Sequence, residues 1–370
     1  MEFTTTKKDL LRIVSKCQGA AAKTPTMPAL GCVLLTAKNK TLTVSATDLY
    51  LSLTGSTSAE IKKPGSIAVH AKDVIERIKA MPDGAIVVST NEKQEVLIKS
   101  TESARKFTLH GLPGSDFPGV HEPNGEALKE AHCPIDTISR SLALTHFSVS
   151  QDEARPHVNS LLFELGDCTA RAVSTDGHRL SLSELVTPTT PSMSMLLPLK
   201  GVGELRKLVD GADGDSCAIA FDGKTAFFSV DGMRLGVRVA DAQFPPYQQV
   251  IPKEQKRHAR LSRSEFSDAL NAMRVAASAL TGGIKVSLVP GAVRVTCEGP
   301  DVGSGFDEVK SDFDGVPVEI GFCARYLLDV LAVITDDEVI LSMGDELDPA
   351  TIRGVGDSGQ YTAVVMPMRV

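Results

Sequence analysis

The chain has 370 residues, of which 42% are hydrophobic and 23% charged, with a formal net charge of −7. That length exceeds one ordinary domain and predicts two or three. No run of 18 apolar residues occurs, so no transmembrane helix is expected. The polar start Met1–Thr5 lacks the apolar core of a signal peptide, which predicts a cytoplasmic protein. The seven cysteines (Cys17, Cys32, Cys133, Cys168, Cys217, Cys297 and Cys323) stand singly, without a Cys-x-x-Cys pair, and the histidines form no His-x-x-x-His pair. This spacing predicts small buried hydrophobes, with neither a metal nor any other cofactor.

Taken in chain order, the elements repeat three times as helix, strands, helix, strands, a period too long for a solenoid. The first copy opens with a helix from Lys7 to Val14, reads as a strand over Leu42–Asp48, and continues with a helix over Ala71–Met81 ended by Pro82-Asp83-Gly84. The second opens at Ile135–Leu142, has a strand over Arg171–Asp176 and a helix over Pro198–Val209, ended by Asp210-Gly211. The third has Ser264–Leu270, Val293–Glu298 and Phe322–Ile334. Acidic residues at 48, 176 and 298 mark the strand ends, and Phe117-Pro118 and Phe244-Pro245 close the first two copies. Polar connectors at Glu122–Gly125 and Pro252–Arg257 place α+β domains at 1–124, 125–253 and 254–370.

Charge is unevenly spread. Windows around the six helices hold 14 Lys or Arg and 9 Asp or Glu, net +5, which leaves −12 for the rest. A surface built from these helices attracts phosphate while the remainder repels it. Aromatic residues make up 5% and Trp is absent, so an aromatic platform for single strands is not expected, nor is sequence-specific reading.

Three motifs imitate active sites. Ala131-His132-Cys133 and Gly356-Asp357-Ser358-Gly359 echo serine-protease motifs, but the latter continues with Gln360 and reads as a hairpin turn. Gly223-Lys224-Thr225 echoes a phosphate loop without its earlier glycine and reads as a hairpin. His178 beside Asp176 reads as a turn with satisfied polar groups rather than an acid–base pair.

Several stretches carry a family resemblance over the whole chain. Ser174-Thr175-Asp176-Gly177-His178-Arg179-Leu180, the ending Val365-Met366-Pro367-Met368-Arg369, Thr26–Gly31 and Ala46–Leu49 resemble the bacterial sliding clamps, the beta subunits of DNA polymerase III. The resemblance implies a non-catalytic homodimer in which two chains of three processivity-fold domains close a ring, helices lining the hole and antiparallel sheets outside. It implies sequence-independent contact with duplex DNA through Lys23, Thr24, Lys72, Arg77, Lys79, Lys200, Arg206 and Lys207. A pocket for short peptides of partners, among them the clamp loader and the polymerase III alpha subunit, would be formed by Val158, Thr175, Gly177, His178, Arg179, Leu180, Pro245, Val250, Tyr326, Val364, Val365, Met366, Pro367, Met368 and Arg369. The dimer contact would set Phe107 and Leu109 against a helix carrying Ala276 and Ala277, smaller than the bulky aliphatics of the family, which implies a looser contact. Pro156 and His157 replace the family's tyrosines, and Gln249 stands where a basic residue is common. A clamp-fold relative acting as a decoy or assembly hub is the alternative, and a serine hydrolase through Ser358 is a more distant one.

Overall fold

A computed structural model describes residues 1–125, 128–188, 190–276, 282–299, 303–356 and 359–369. The first copy runs β1 (Glu2–Thr6), α1 (Lys7–Cys17), β2 (Cys32–Lys38), β3 (Thr41–Thr47), β4 (Leu51–Ser58), β5 (Glu60–Lys63), β6 (Gly65–His70), α2 (Ala71–Ala80), β7 (Ala85–Thr90), β8 (Glu95–Ser100) and β9 (Lys106–Pro113). The second runs β10 (Lys129–Pro134), α3 (Ile135–Thr145), β11 (Ser160–Gly166), β12 (Thr169–Thr175), β13 (Arg179–Val186), β14 (Met193–Pro198), α4 (Leu199–Asp210), β15 (Ser216–Phe221), β16 (Thr225–Val230) and β17 (Met233–Arg238). The third runs β18 (Arg257–Ser262), α5 (Arg263–Ala276), β19 (Gly283–Val289), β20 (Ala292–Gly299), β21 (Gly303–Lys310), β22 (Val318–Cys323), α6 (Ala324–Val333), β23 (Glu338–Met343), β24 (Ala350–Gly354) and β25 (Tyr361–Val365).

Each copy therefore opens with a strand that the helix-first reading passed over. Phe3 is fully buried and Thr5 nearly so, while Glu2, Thr4 and Thr6 are not, the alternation of a half-buried strand. Thr6 ends β1 and caps α1, its hydroxyl accepting the Asp9 amide at 3.1 Å. The helices bury residues at helical spacing: Leu10, Ile13, Val14 and Cys17 on α1, and Ala71, Val74, Ile75 and Ile78 on α2. Burial pushes the Cys17 thiol up to about 12, the signature of a packing residue. Five of the seven cysteines are buried; Cys323 is half-buried, and Cys168, expected inside, is exposed. Cys168 shares a tight β11–β12 turn with Asp167, both with φ near +50 to +60° (49° and 58°).

Strand ladders, more than helices, organise the chain. It forms two compact units: residues 1–136 with 203–239, and residues 137–202 with 240–370. The first holds a 13-stranded antiparallel sheet, ordered β10-β15-β16-β17-β4-β3-β2-β6-β9-β8-β7-β1-β5. The second holds an 8-stranded sheet, β14-β11-β12-β13-β25-β24-β23-β18, and a 4-stranded sheet, β21-β20-β19-β22. The middle copy is thus shared between units, because its strands continue ladders begun by the copies on either side.

One junction occurs twice. In the first unit β4 pairs with β17, Leu51 opposite Val237. In the second β13 pairs with β25, Arg179 opposite Val365. One residue beyond each ladder the Arg238 amide donates to the Tyr50 carbonyl (2.8 Å), and the Met366 amide donates to the His178 carbonyl (2.9 Å). So the fourth main strand of one copy is completed by the last strand of the next. Two edges lack this completion among the described residues: β21 pairs only with β20, and β9 pairs only with β8 over Lys106–His110.

The turns before β4 and β13 also match. Thr47 Oγ donates to the Leu51 carbonyl (2.7 Å) and accepts the Leu49 amide (2.9 Å), while Asp48 accepts the amides of Tyr50 and Leu51. Thr175 and Asp176 make the same bonds to residues 177–179. The expected third counterpart, Glu298, differs: it sits inside the ladder opposite Ser304, because β20 runs on to Gly299.

Gly55 lies in the first junction, where a β-carbon would meet Met233 Sδ at 2.2 Å and Ile13 Cγ2 at 3.1 Å. Gly55→Val is expected to lower the stability of the full chain by about 1–3 kcal/mol through overpacking, read as a fall in the urea midpoint.

Candidate functional site: a groove and a cationic helix set

The groove lies wholly in the second unit, where β13 meets β25. Its floor is a cluster of Val173, Leu180, Leu182, Tyr247 and Val364, with half-buried Leu162, Phe244 and Ile251 against it. Alternation along β12, β13 and β25 sends these side chains to one face. The connector after Phe244 supplies one wall: a turn at Tyr247–Gln249 leaves Val250 40% exposed, and Tyr247 closes onto Leu180 and Val364. The other wall is the 175–178 turn with Tyr326. The His178 ring stacks on Tyr326 at 6.2 Å and 14°. Burial raises the Tyr326 hydroxyl above its ordinary value, and the Asp176 carboxylate adds to that, so it stays a neutral donor. Past β25 the chain remains extended, with the Met366 amide on the His178 carbonyl and the Met368 amide on the Gly321 carbonyl (2.8 Å). Met366, Pro367 and Met368 are half-buried, neither frayed nor packed into the core. Their backbone bonds to His178 and Gly321 carry two soft thioethers past the end of β25.

Not every expected pocket residue is on the surface. Arg179 is 7% exposed. Its guanidinium donates to Asp176 (3.1 Å), Asp329 (2.5 Å) and the Phe147 carbonyl (2.7 Å), and lies over the rings of Tyr326 (4.6 Å) and Phe147 (5.2 Å). With its donors engaged it positions the turn and Tyr326 rather than meeting a ligand. Leu180, Val364 and Val365 are buried and act as floor or core, and Val158 is buried behind the 150–157 loop. Arg369 is exposed. Phe244, Tyr247, Leu162 and Ile251 were missed; the Phe-Pro-Pro-Tyr stretch at 244–247 was the available signal. Gly177, at φ +92°, allows the turn, and the amides of His178 and Arg179 bind Asp176, so His178 and Asp176 form a satisfied turn, as expected.

The other sequence-derived residues are placed as follows. The six observed helices carry the same 14 cations and 9 anions. Lys72 and Lys200 are each the second residue of their helix, α2 and α4. Several of these cations sit in local ion pairs: Lys72–Glu76 (4.0 Å), Arg77–Asp73 (3.6 Å), Arg206–Asp210 (3.4 Å) and Lys207–Glu204 (2.7 Å). Exposed pairs such as Lys72–Glu76 and Arg206–Asp210 are worth under about 1 kcal/mol, whereas Glu204 of the Lys207 pair is buried. Lys23, Thr24 and Lys79 are exposed; the Lys23–Thr24 loop is closed by the Ala22 amide on the Leu30 carbonyl (2.8 Å). Lys8 and Arg12, one turn apart on α1, are exposed and form no ion pair among the described residues. Site assignment by resemblance passed over them.

Leu109 is 7% exposed, already part of this chain's core, and Phe107, two residues before it on the same face of β9, is half-buried. Ala276 ends α5; Ala277 lies outside the described residues. The exposed apolar residues near the open β21 edge are instead Phe306 (62%), on that strand, and Val275 (85%), at the end of α5. Among the decoys, Lys224 lies in the β15–β16 hairpin, where Asp222 accepts the amides of Lys224 and Thr225. Asp357 and Ser358 lie outside the described residues.

Arg179→Met is expected to cost about 3–5 kcal/mol of stability, since it strands Asp329 and the Phe147 carbonyl. Urea denaturation of the full chain reads this; a loss below about 1 kcal/mol would mark the ion pairs as superficial.

Family models of the DNA polymerase III beta subunit match the chain in three consecutive pieces: the N-terminal domain over residues 1–121, the central domain over 132–246 and the C-terminal domain over 248–369. The beta sliding clamp of Pseudomonas putida is 30% identical over 383 aligned positions, covering 100% of both chains. That of Caulobacter vibrioides is 30% identical over 378, again covering 100% of both. The crystal structure of the Pseudomonas aeruginosa DNA polymerase sliding clamp matches at 29% identity with a TM-score of 0.93, covering 100% of both chains. Three repeated copies, strand-completed junctions and cationic helices thus coincide with family matches along nearly the whole length: the chain belongs to the bacterial DNA polymerase III beta subunits, the sliding clamps.

Proposed function

We propose that the protein is a non-catalytic processivity factor, a ring of two chains that encircles duplex DNA and holds the replicative polymerase on it. The carrying observation is the twice-repeated junction, β4 with β17 and β13 with β25, together with the edges it leaves over. The edge of β21 lacks a following copy, and β9 lacks a preceding one. A second chain supplies both, head to tail, and the heterologous contact closes as a two-fold ring. Phe306 and Val275, exposed in the single chain, would be covered by that contact.

A ring holds DNA by topology, so its phosphate contacts can stay weak and independent of sequence, which lets it slide. Lys23, Lys79, Lys8 and Arg12 would supply the uncompensated part of that field, and the neutral Thr24 hydroxyl would add a hydrogen bond to a phosphate oxygen. Lys72, Arg77, Lys200, Arg206 and Lys207 would supply the part that exchanges partners. The groove at Tyr247, Tyr326 and Met366 would take short extended peptides of the polymerase alpha subunit, the clamp loader and other replication proteins. Work on the chromosome supports the expected cytoplasmic location.

Phe306→Asp with Val275→Asp is expected to convert the dimer to monomer in light scattering at micromolar concentration; an unchanged mass would remove the β21 edge from the interface. Loaded on nicked circular plasmid by a clamp loader and ATP, the protein should stay bound through gel filtration and leave when the plasmid is linearised. Retention that ignores linearisation would end the ring reading. Lys8→Glu with Arg12→Glu should lower the salt slope of DNA binding by about 1–2, and truncation after Val365 should abolish partner-peptide binding with the dimer intact.

A further inference from the structure

The repeat builds the partner groove's walls a second time, in the first unit, and there the chemistry differs. The turn after β3, the end of β17 and the connector 119–124 enclose a cleft of about 510 Å³. The turn is bonded as the 175–179 turn is, yet it carries Leu49 where the other has Gly177, Tyr50 where the other has His178, and Leu51 where the other has the caging Arg179. Leu49 is 55% exposed and Tyr50 69% exposed. Leu49 is held at φ +78°, in the left-handed region that favours glycine. Lys224 and Arg238 also line the cleft, Arg238 beside Tyr50 through its amide, and both are exposed and without an ion pair among the described residues. Asp222, the carboxylate that lines the cleft with them, is engaged by His121 at 2.8 Å. Burial alone would raise the Asp222 carboxyl, but the bonds from His121 and from the Lys224 and Thr225 amides hold it below its ordinary value, so it stays charged and paired.

We infer that this cleft is a second peptide-docking surface, which takes an extended segment with an aliphatic or aromatic anchor between acidic residues. Exposed Leu49 and Tyr50 offer the anchor contact, in the manner of aromatic hot spots. Lys224 and Arg238, which form no ion pair among the described residues, select for carboxylates. The two grooves are then not duplicates: one has an apolar floor with methionines past the end of β25, the other an aromatic residue and two cations. The inference rests on the peptide reading of the β13–β25 groove only for the class of ligand.

The test uses the full-length dimer and a fluorescein-labelled peptide, Glu-Asp-Leu-Phe-Asp-Glu, followed by anisotropy. Tyr50→Ala and, separately, Arg238→Glu should each weaken binding about tenfold or more. Truncation after Val365, which removes Met366 from the other groove, should leave it unchanged. Lys224→Glu serves as a second charge variant, and unchanged melting curves show that each variant is folded. Binding unaffected by Tyr50→Ala, binding lost on truncation after Val365, or equal binding of a lysine-flanked peptide would each overturn the proposal. So would displacement of the peptide by a short DNA duplex that binds wild type but not Arg238→Glu, which would assign the surface to nucleic acid. Failure of the other groove would appear separately, as partner peptides that bind the truncated chain as well as the intact one.

Discussion

Strand completion across copies is the constraint from which the rest follows. An exposed strand edge presents a row of unpaired amides and carbonyls, and a fold with long edges must cover them or suffer uncontrolled pairing. Here β4 and β13 are covered by the last strands of the following copies, with Leu51 opposite Val237 and Arg179 opposite Val365. The same bonding that joins copies leaves β21 and part of β9 without such a partner among the described residues. These are the edges that a head-to-tail contact with a second chain would cover, and such a contact gives a ring where its rotation closes.

The junctions also determine where function collects. Each brings a turn, a strand end and a connector together, three segments distant in sequence, and so makes a concave site without any loop dedicated to it. At the β13–β25 junction the buried Arg179 ties the turn to Asp329 and the Phe147 carbonyl, which locks Tyr326 beside the groove. At the β4–β17 junction Leu51 occupies the corresponding place and is buried at 3% exposure. No guanidinium then ties the turn to the core, yet Tyr50 is exposed just as His178 is. The substitution in the repeated frame changes what lies beneath an exposed turn, a caged guanidinium in one junction and an aliphatic side chain in the other.

Much of this was legible in the sequence. All six helices were placed to within a few residues, since their apolar positions recur at helical spacing, and the Thr-Asp turn was recognisable from its residues. What escaped detection was tertiary in origin. The opening strands are short and rich in threonine, and only pairing with a distant strand, as Phe3 opposite Val88, makes them strands. The compact units cut through the middle copy because ladder continuity outweighs sequence adjacency. Arg179 was placed in the pocket by family resemblance alone; its burial depends on Phe147, Tyr326 and Asp329, which no local pattern predicts.

The charge distribution follows the same logic at longer range. Among the described residues, Lys7 pairs with Asp83, and Lys72, Arg77, Arg206 and Lys207 pair with carboxylates on their own helices. Those with both partners exposed, such as Lys72–Glu76 and Arg206–Asp210, hold weakly. Lys8 and Arg12 form no ion pair among the described residues, so in the proposed ring their field would act on approaching DNA directly. A surface that mixes free and loosely paired cations holds a polyanion without fixing any single phosphate. Strong, geometrically exact phosphate sites would bind one register and resist motion, whereas shallow exchangeable ones leave the ring free to move while topology prevents its loss.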